Sequence, residues 1–331
     1  MTNLVQMRSS NNTISIVPLD ENSRPYLSDL LAEECREWLG QLLWDYAESS
    51  EIIQQVANAG NLPGLVAVAQ NGRPVGYCFW VQEGRRVLIG DLFVVDSARG
   101  QGVDFDLVET MLKEIGVNKI DRIESQNIAF GLDGIGRIYR KHGFVSYNRH
   151  FLIKRIGSES PRDVVPQNRF VSSDRSFKFR QYHSNDFAAV CRLIYDSYID
   201  QPDSVINSQY ATYSGCKEFF GNLISNTGCG RFLRAQSLIA ENEENKRIIG
   251  AIITTEISSG NAHLPQISVL PEFQRLGLGR RMIEVVFDRL SEAGYRSGSL
   301  AVSAENKHAV KLYESCGFLP LLEFPVFVKT F

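Results

Sequence analysis

Gln274-Arg275-Leu276-Gly277-Leu278-Gly279 lies between two runs of different periodicity. Before it, Gln266-Ile267-Ser268-Val269-Leu270 is a short run with β-branched residues that reads as a strand, ended by Pro271 and Glu272. After it, Met282, Ile283, Val286, Phe287 and Leu290 fall on one helical face. The glycines therefore occupy a strand-to-helix turn. Such a turn aims several backbone N–H groups, and the positive end of the helix dipole, at one point. Glycine lets a phosphate approach the backbone where a side chain would block it. The local physics predicts an anion site, with pyrophosphate as the expected ligand.

Three anion loops share this outline. A Walker loop needs Gly-Lys-Ser/Thr after four spacer residues, and the stretch has none. A dinucleotide fingerprint needs G-x-G-x-x-G, and Met282 stands at its last glycine. What is left is Q-x-x-G-x-G after V-x-P. A second block, Asn306-Lys307-His308-Ala309-Val310-Lys311-Leu312-Tyr313-Glu314-Ser315-Cys316-Gly317-Phe318, reads N-x-x-A-x-x-L-Y-x-x-x-G-F. The two blocks, in this order and at this distance, resemble consecutive motifs of the GNAT superfamily of N-acetyltransferases. The resemblance is strong over about 262–318 and weak over about 90–144.

The resemblance implies acetyl-CoA as donor and names the residues that would hold it. Residues matching Ile267, Ser268 and Val269 bond the pantetheine arm and acyl carbonyl through their backbone. Gln274, Arg275, Leu276, Gly277, Leu278 and Gly279 would grip the pyrophosphate, with positive charge added by Arg275 and Arg280. Arginine at a helix start opposes the dipole, so a nearby anion accounts for it better than a solvated surface does. Tyr313 matches the tyrosine that gives a proton to the departing CoA thiolate, a task open to a positioned phenol. A half-buried packing role is its alternative. Asn306 matches a residue near the cofactor and reads equally as a helix cap.

An amine acceptor must lose a proton before attack. Counted back from Gln274, His263 falls where histone-type members carry a catalytic glutamate, and a histidine titrating near neutrality suits a general base. The alternative is a partly exposed strand histidine. Glu256 is the reserve base, and many members rely on water chains instead. The acceptor segment would contain Tyr195, Asp196, Tyr198, Asp200, Asp203, Tyr210, Tyr213 and Glu218, acidic and aromatic groups that suit a cationic amine. Any one of them taken singly reads more readily as part of a solvated helix face.

The same order of elements runs twice. Gly102 and Gly277 lie 175 positions apart (277 − 102), and Tyr139 and Tyr313 lie 174 apart (313 − 139). Gly143-Phe144 and Gly317-Phe318 keep the offset of 174 (317 − 143), which marks an internal repeat. The expected division is a first domain over 1–156, a Ser/Pro-rich linker over 157–175 and a second domain over 176–331. In the first, one long helical pattern runs over about 25–57. The expected fold is α+β: two tandem GNAT-like domains, each a mixed, mainly antiparallel sheet flanked by helices. The two-copy layout is similar to that of mycothiol synthases, as architecture only.

The first copy departs from the pattern. Asp96 stands for Pro271, Asp104 for Gly279 and Leu132 for Asn306, while Arg99, Gly102 and Tyr139 persist. A carboxylate at Asp104 would repel pyrophosphate or, at the least, take the helix start for itself. The first copy is therefore expected to be degenerate and the second catalytic.

At 331 residues with 44% hydrophobic and 22% charged residues, the chain has the composition of soluble globular protein. A net charge of −3 gives no bulk attraction to nucleic acid or anionic membrane. Residues 1–12 are polar, so no secretory signal is expected, and no long apolar run suggests a membrane span. Six cysteines without C-x-x-C spacing read as reduced thiols in the cytoplasm. No metal is expected. The expected activity is transfer of the acetyl group of acetyl-CoA to a primary amine of a small molecule or peptide, by direct attack. The alternatives are a non-catalytic acyl-CoA sensor, another acyl-CoA as donor, or a hydroxyl as acceptor.

Overall fold

The computed structural model describes residues 14–116, 120–132, 134–157, 169–172, 175–199, 201–226 and 228–331. The first half contains β1 (Ile14–Pro18), α1 (Arg24–Leu42), α2 (Ala47–Asn58), β2 (Gly64–Ala69), β3 (Pro74–Glu83), β4 (Arg86–Val94), α3 (Val103–Ile115), β5 (Arg122–Ser125), α4 (Ile135–Lys141) and β6 (Val145–Arg155). The second half contains β7 (Arg169–Ser172), β8 (Arg175–Gln181), α5 (Phe187–Tyr198), α6 (Pro202–Ile206), α7 (Tyr213–Ser225), β9 (Arg231–Phe232) and β10 (Leu238–Asn242). It continues with β11 (Ile248–Ser258), β12 (Asn261–Val269), α8 (Leu278–Glu292), β13 (Ser297–Ser303), α9 (Lys307–Ser315) and β14 (Leu319–Thr330).

These elements form two compact units, Met1–Asn148 with Phe324–Phe331, and Arg149–Glu323. The first unit is a mixed sheet in the order β1-β2-β3-β4-β5, with β4 and β5 parallel and the earlier pairs antiparallel. Its far edge is closed by the end of β14, antiparallel to β5 from Phe327↔Ser125 to Thr330↔Arg122. The second unit runs β7-β8-β10-β11-β12-β13, with β12 and β13 parallel, and is closed by Arg149–Arg155 of β6 antiparallel to β13. As expected, each unit is a mixed, mainly antiparallel sheet flanked by helices. Its core lies between sheet and helices: Val103, Leu107, Val108 and Met111 of α3 bury one stripe, as do Met282, Ile283, Val286 and Leu290 of α8.

The units depart from the sequence-drawn boundaries by one strand each. Arg149–Arg155 leaves the first unit and Phe324–Phe331 leaves the second. An alternation of period two says that a strand exists, not which edge it joins. Of the expected linker, 158–168 and 173–174 lie outside the described residues, and Arg169–Ser172 form β7 rather than coil. The single helical pattern expected over 25–57 is two helices, because Leu43 takes φ 57° after Leu42 and ends the first. All six cysteines are free thiols. Among the described residues no helix is long and apolar enough to cross a membrane.

The first unit buries two carboxyls side by side. Glu34 and Asp91 are 1% and 2% exposed. Trp38 Nε1 donates to Glu34 Oε1 at 3.0 Å, Tyr46 donates to Asp91 Oδ2 at 3.3 Å, and the Tyr77 hydroxyl touches both carboxyls. Burial, and then the facing Asp91, hold Glu34 well above the carboxylate range, and burial raises Asp91 as well. The folded chain thus keeps a proton that the unfolded chain releases. That contribution to stability is present below the ordinary carboxyl value of 4.5 and is lost as pH rises through the folded value. Melting temperatures measured from about pH 5 to pH 8 should fall with pH, and Glu34→Gln should flatten that fall. An unchanged slope in the variant would show that Glu34 is not the group that keeps the proton.

Candidate active site

The turn after β12 has the backbone that its sequence predicts. Pro271–Phe273 form a single 3-10 turn, and Gln274 Nε2 donates back to Val269 O at 2.9 Å, fixing the strand end against the loop. Arg275 takes φ 64°, and Gly277, at φ 84°, is the residue before α8. A left-handed conformation here is what glycine is for. No side chain caps α8 and its first turn carries no acid, so the N–H groups that open the helix face outward bare. Leu278 is buried and Leu276 half-buried, anchoring the loop on both sides. Gly279 needs no special φ. A Cβ there would meet Leu312 Cδ2 at 3.2 Å, so the glycine lets α9 come close. This cradle fits the pyrophosphate of acetyl-CoA: bare donors, a dipole end and no competing carboxylate. One expectation is corrected: the Arg280 guanidinium donates to Ser315 O at 2.9 Å and Ser315 Oγ at 2.7 Å, so it ties α8 to α9 rather than standing ready for an anion.

Next to the cradle the sheet opens. The parallel register of β12 and β13 runs from Asn261↔Ser297 to His263↔Ser299, and among the described residues it goes no further. Ile267, Ser268 and Val269 lie on the parted end, still paired to β11 on the other side. Tyr198 donates to Ile267 O at 3.4 Å and stacks on Tyr210 at 4.3 Å. Tyr210 donates to Gln266 Oε1 at 3.2 Å, and Gln266 Nε2 to Ser268 Oγ at 2.7 Å. Asp203 accepts from Ser303 Oγ at 2.5 Å and from Asn306 Nδ2 at 3.4 Å, while Asn306 Oδ1 accepts from Ala309 N at 3.2 Å. Asn306 is thus a helix cap that also holds Asp203.

Tyr313 is 8% exposed and packs edge-on against Phe318. Among the described residues its hydroxyl makes no hydrogen bond. Burial, then Tyr198 and Asp203 nearby, push its phenol well above the ordinary value, so the hydroxyl keeps its proton.

The expected bases do not fit their role. His263 is 5% exposed, its Nδ1 lies 2.9 Å from Ser299 Oγ, and its ring stacks on Phe151 at 5.6 Å. Burial, helped by Arg149, pushes its imidazolium down to about 3, so it is neutral throughout the physiological range and does not titrate near neutrality. Glu256, the reserve, is paired with Arg231 and accepts from Tyr295 at 3.3 Å.

Of the acceptor segment, Tyr198, Asp203 and Tyr210 converge on the site. Arg192 holds Asp196 at 3.0 Å and lies over Tyr195 at 5.4 Å, whereas Tyr213 and Glu218 are exposed. Asp200 lies outside the described residues.

The first copy repeats the backbone and not the chemistry. Gly102 precedes α3 at φ 85°, as Gly277 precedes α8, and Gly100 takes φ 75° where Arg275 takes 64°. Arg99 Nε donates to Val94 O at 3.0 Å, the bond Gln274 makes to Val269, and spends its other nitrogens on Glu37 and Asp96. Asp104, 7% exposed, places a buried carboxyl in the first turn of α3, where α8 carries no acid. Tyr139 is fully buried, stacked on Phe327 at 4.1 Å and bonded to Ser125 Oγ at 3.4 Å.

Sequence reading missed Arg149. It enters the second unit on β6 opposite Ser303 and lies near His263, Tyr198, Tyr210 and Cys229. Nothing local in the first half marks it for the second.

Comparison with known proteins agrees with this geometry. The Acetyltransferase (GNAT) family model matches residues 205–318. The [ribosomal protein bS18]-alanine N-acetyltransferase of Escherichia coli strain K12 is 40% identical over 70 residues, 21% of this chain and 47% of that protein. Its counterpart from Salmonella typhimurium is 41% identical over the same length. The chain therefore spans about half the length of the curated relatives it matches. A GCN5-related N-acetyltransferase from Sphaerobacter thermophilus superposes with a TM-score of 0.64 over 95% of both chains at 15% identity. A tandem GNAT protein from the clavulanic acid biosynthesis pathway gives 0.58 over 96% of this chain and 98% of that one at 14% identity. At such identities the likeness is one of fold.

Proposed function

We propose that this chain, which belongs through residues 205–318 to the GNAT family of acetyltransferases, moves the acetyl group of acetyl-CoA to a primary amine of a small molecule or peptide. The observation that carries the reading is the bare start of α8 beside the parted ends of β12 and β13. Acetyl-CoA supplies an activated thioester whose acyl group passes directly to the amine. In this reading Gln274 to Gly279 hold the pyrophosphate and the backbone of Ile267 to Val269 holds the pantetheine arm. Tyr313 keeps a proton ready for the leaving thiolate. The second unit is the catalytic one, and the first is a degenerate copy. The curated relatives are named for acting on an alanine of a ribosomal protein; here the acceptor class stays at primary amine. Net charge of −3 and free thiols support a cytoplasmic protein without nucleic-acid or membrane partners.

The test is thiol release. Purified protein with acetyl-CoA and a panel of amines should liberate CoA only when an accepted amine is present. CoA bound tightly with no release across amines, hydroxyl acceptors and longer acyl donors would leave a non-catalytic acyl-CoA sensor.

The amine loses its proton to water in this reading, since burial leaves His263 too weakly basic, its pKa down to about 3, and Glu256 is paired. Log kcat/KM should then climb with pH at a slope of about one up to the pKa of the acceptor amine. His263→Gln should leave the shape of that profile unchanged. An inflection near the ordinary histidine value of 6.5 that vanishes in the variant would return the base role to His263.

A further inference from the structure

We propose that Arg149 binds a carboxylate carried by the acceptor, so that the amine substrate is an amino acid or a related aminocarboxylate. The proposal rests on the acetyltransferase reading above and adds the substrate class.

Four described side chains contain a buried polar atom without a partner: Arg24 Nε, Gln54 Oε1, Arg86 Nε and Arg149 Nε. In three of them another atom of the group is engaged. Arg24 donates to Asn58 O, Gln54 to Asn58 Oδ1, and Arg86 pairs with Glu83 and Glu124. Arg149 differs. Among the described residues its guanidinium has neither a hydrogen bond nor an ion pair. Partly burying a charge with a donor unmet costs free energy unless a ligand meets it.

Its position says what that ligand belongs to. Arg149 faces Ser303, at the end of β13 that has parted from β12. Phe151, two residues on and therefore on the same face of β6, stacks on His263 at 5.6 Å. Arg149 therefore lies close enough to His263, Tyr198, Tyr210 and Cys229 to influence their ionisation. Asp203, the described acid beside Ser303, is taken by Ser303 and Asn306. The charge is also not placed for the pyrophosphate. Ser303 lies four positions beyond Ser299, the partner of His263 (303 − 299), so Arg149 is level with the parted part of β12 around Ile267. The phosphate cradle begins beyond Val269, where Gln274 is tied back, so Arg149 stands at the parted strands, short of the cradle.

The chemistry favours carboxylate. The planar fork of a guanidinium matches the two oxygens of a carboxylate. His263 beside it is neutral, so Arg149 offers one positive charge, which a carboxylate balances and a phosphate dianion exceeds. An aminocarboxylate gripped there is held at one end, leaving its amine to face the parted strands. Tyr198 and Tyr210 are bonded to the parted end of β12 beside it.

The experiment compares matched pairs of acceptors: α-, β- and γ-amino acids against their carboxamides. CoA release gives kcat/KM, and thermal shift in the presence of CoA gives binding independent of turnover. Wild-type protein should favour the best carboxylate over its carboxamide by at least about tenfold. Arg149→Met should erase that preference by raising KM, with kcat and acetyl-CoA affinity little changed, and Arg149→Lys should restore part of it. Equal use of acid and amide by the wild type, or a preference that survives Arg149→Met, overturns the carboxylate site while leaving the transferase reading intact. Arg149-dependent binding of amino acids without CoA release would do the reverse: the carboxylate site stands and the transferase reading falls. No Arg149-dependent binding of any carboxylate overturns the proposal.

Discussion

Gly279→Asp is expected to abolish acetyl-CoA binding, raising Kd by more than about a hundredfold. The new carboxylate would sit at the bare start of α8, whose first turn carries no acid. Two like charges about 4 Å apart at an effective dielectric near 20 repel by about 4 kcal/mol, close to three powers of ten in affinity. The first copy contains the same experiment done by sequence. Asp104 stands at the equivalent position, its carboxyl buried in the first turn of α3. A second effect must be separated from charge, because a side chain at 279 also meets Leu312 at 3.2 Å. Gly279→Asn has nearly the same bulk and no charge, so the difference between the two variants isolates the electrostatic part. Asp104→Gly should change nothing in acetyl-CoA binding, since Arg99 remains tied to Glu37 and Asp96, and Leu132 still stands for Asn306. Calorimetry on the three variants checks this. Wild-type affinity in a folded Gly279→Asp would remove the cradle from the account.

Tyr313→Phe is the second large effect. Turnover should fall by roughly 10²-fold if the phenol donates a proton in the usual way. Acetyl-CoA affinity should stay within about twofold, because the lost hydroxyl belongs to the reacting end and not to the phosphate cradle. Stability should hold, as that hydroxyl has no hydrogen bond to lose among the described residues. Tyr139→Phe is the matched control. Its hydroxyl bonds Ser125 in the first unit, so the change should cost about 1 kcal/mol of stability and no turnover. Stopped-flow thiol detection, with the chemical step limiting, distinguishes them. Unchanged turnover in Tyr313→Phe assigns that residue to packing.

How much could be read from the chain alone follows from what each signal measures. The cradle was legible because its determinants are adjacent: Gln274 reaches only to Val269, and Gly277 answers to its own φ. The repeat was legible because a fixed offset survives divergence, down to the paired bonds of Arg99 and Gln274. The strand exchange was not, because alternation does not name an edge. Arg149 meets Ser303 across 154 positions (303 − 149), and no local pattern encodes that pairing. His263 was found in place and misjudged in state. Its neighbours Phe151 and Ser299 come from other strands, and their burial of the ring removes the titration that composition suggests. Asp203 was picked out by type, but its partners Ser303 and Asn306 could come only from the fold.

The central claim is that one unit of the two receives acetyl-CoA. Titration calorimetry of the intact chain with acetyl-CoA tests it most directly. The account expects one molecule bound per chain, with the same stoichiometry and affinity when Gly102 is changed to Asp in the first copy. Two equivalent sites, or loss of all binding in Gly102→Asp while the fold survives, would contradict it.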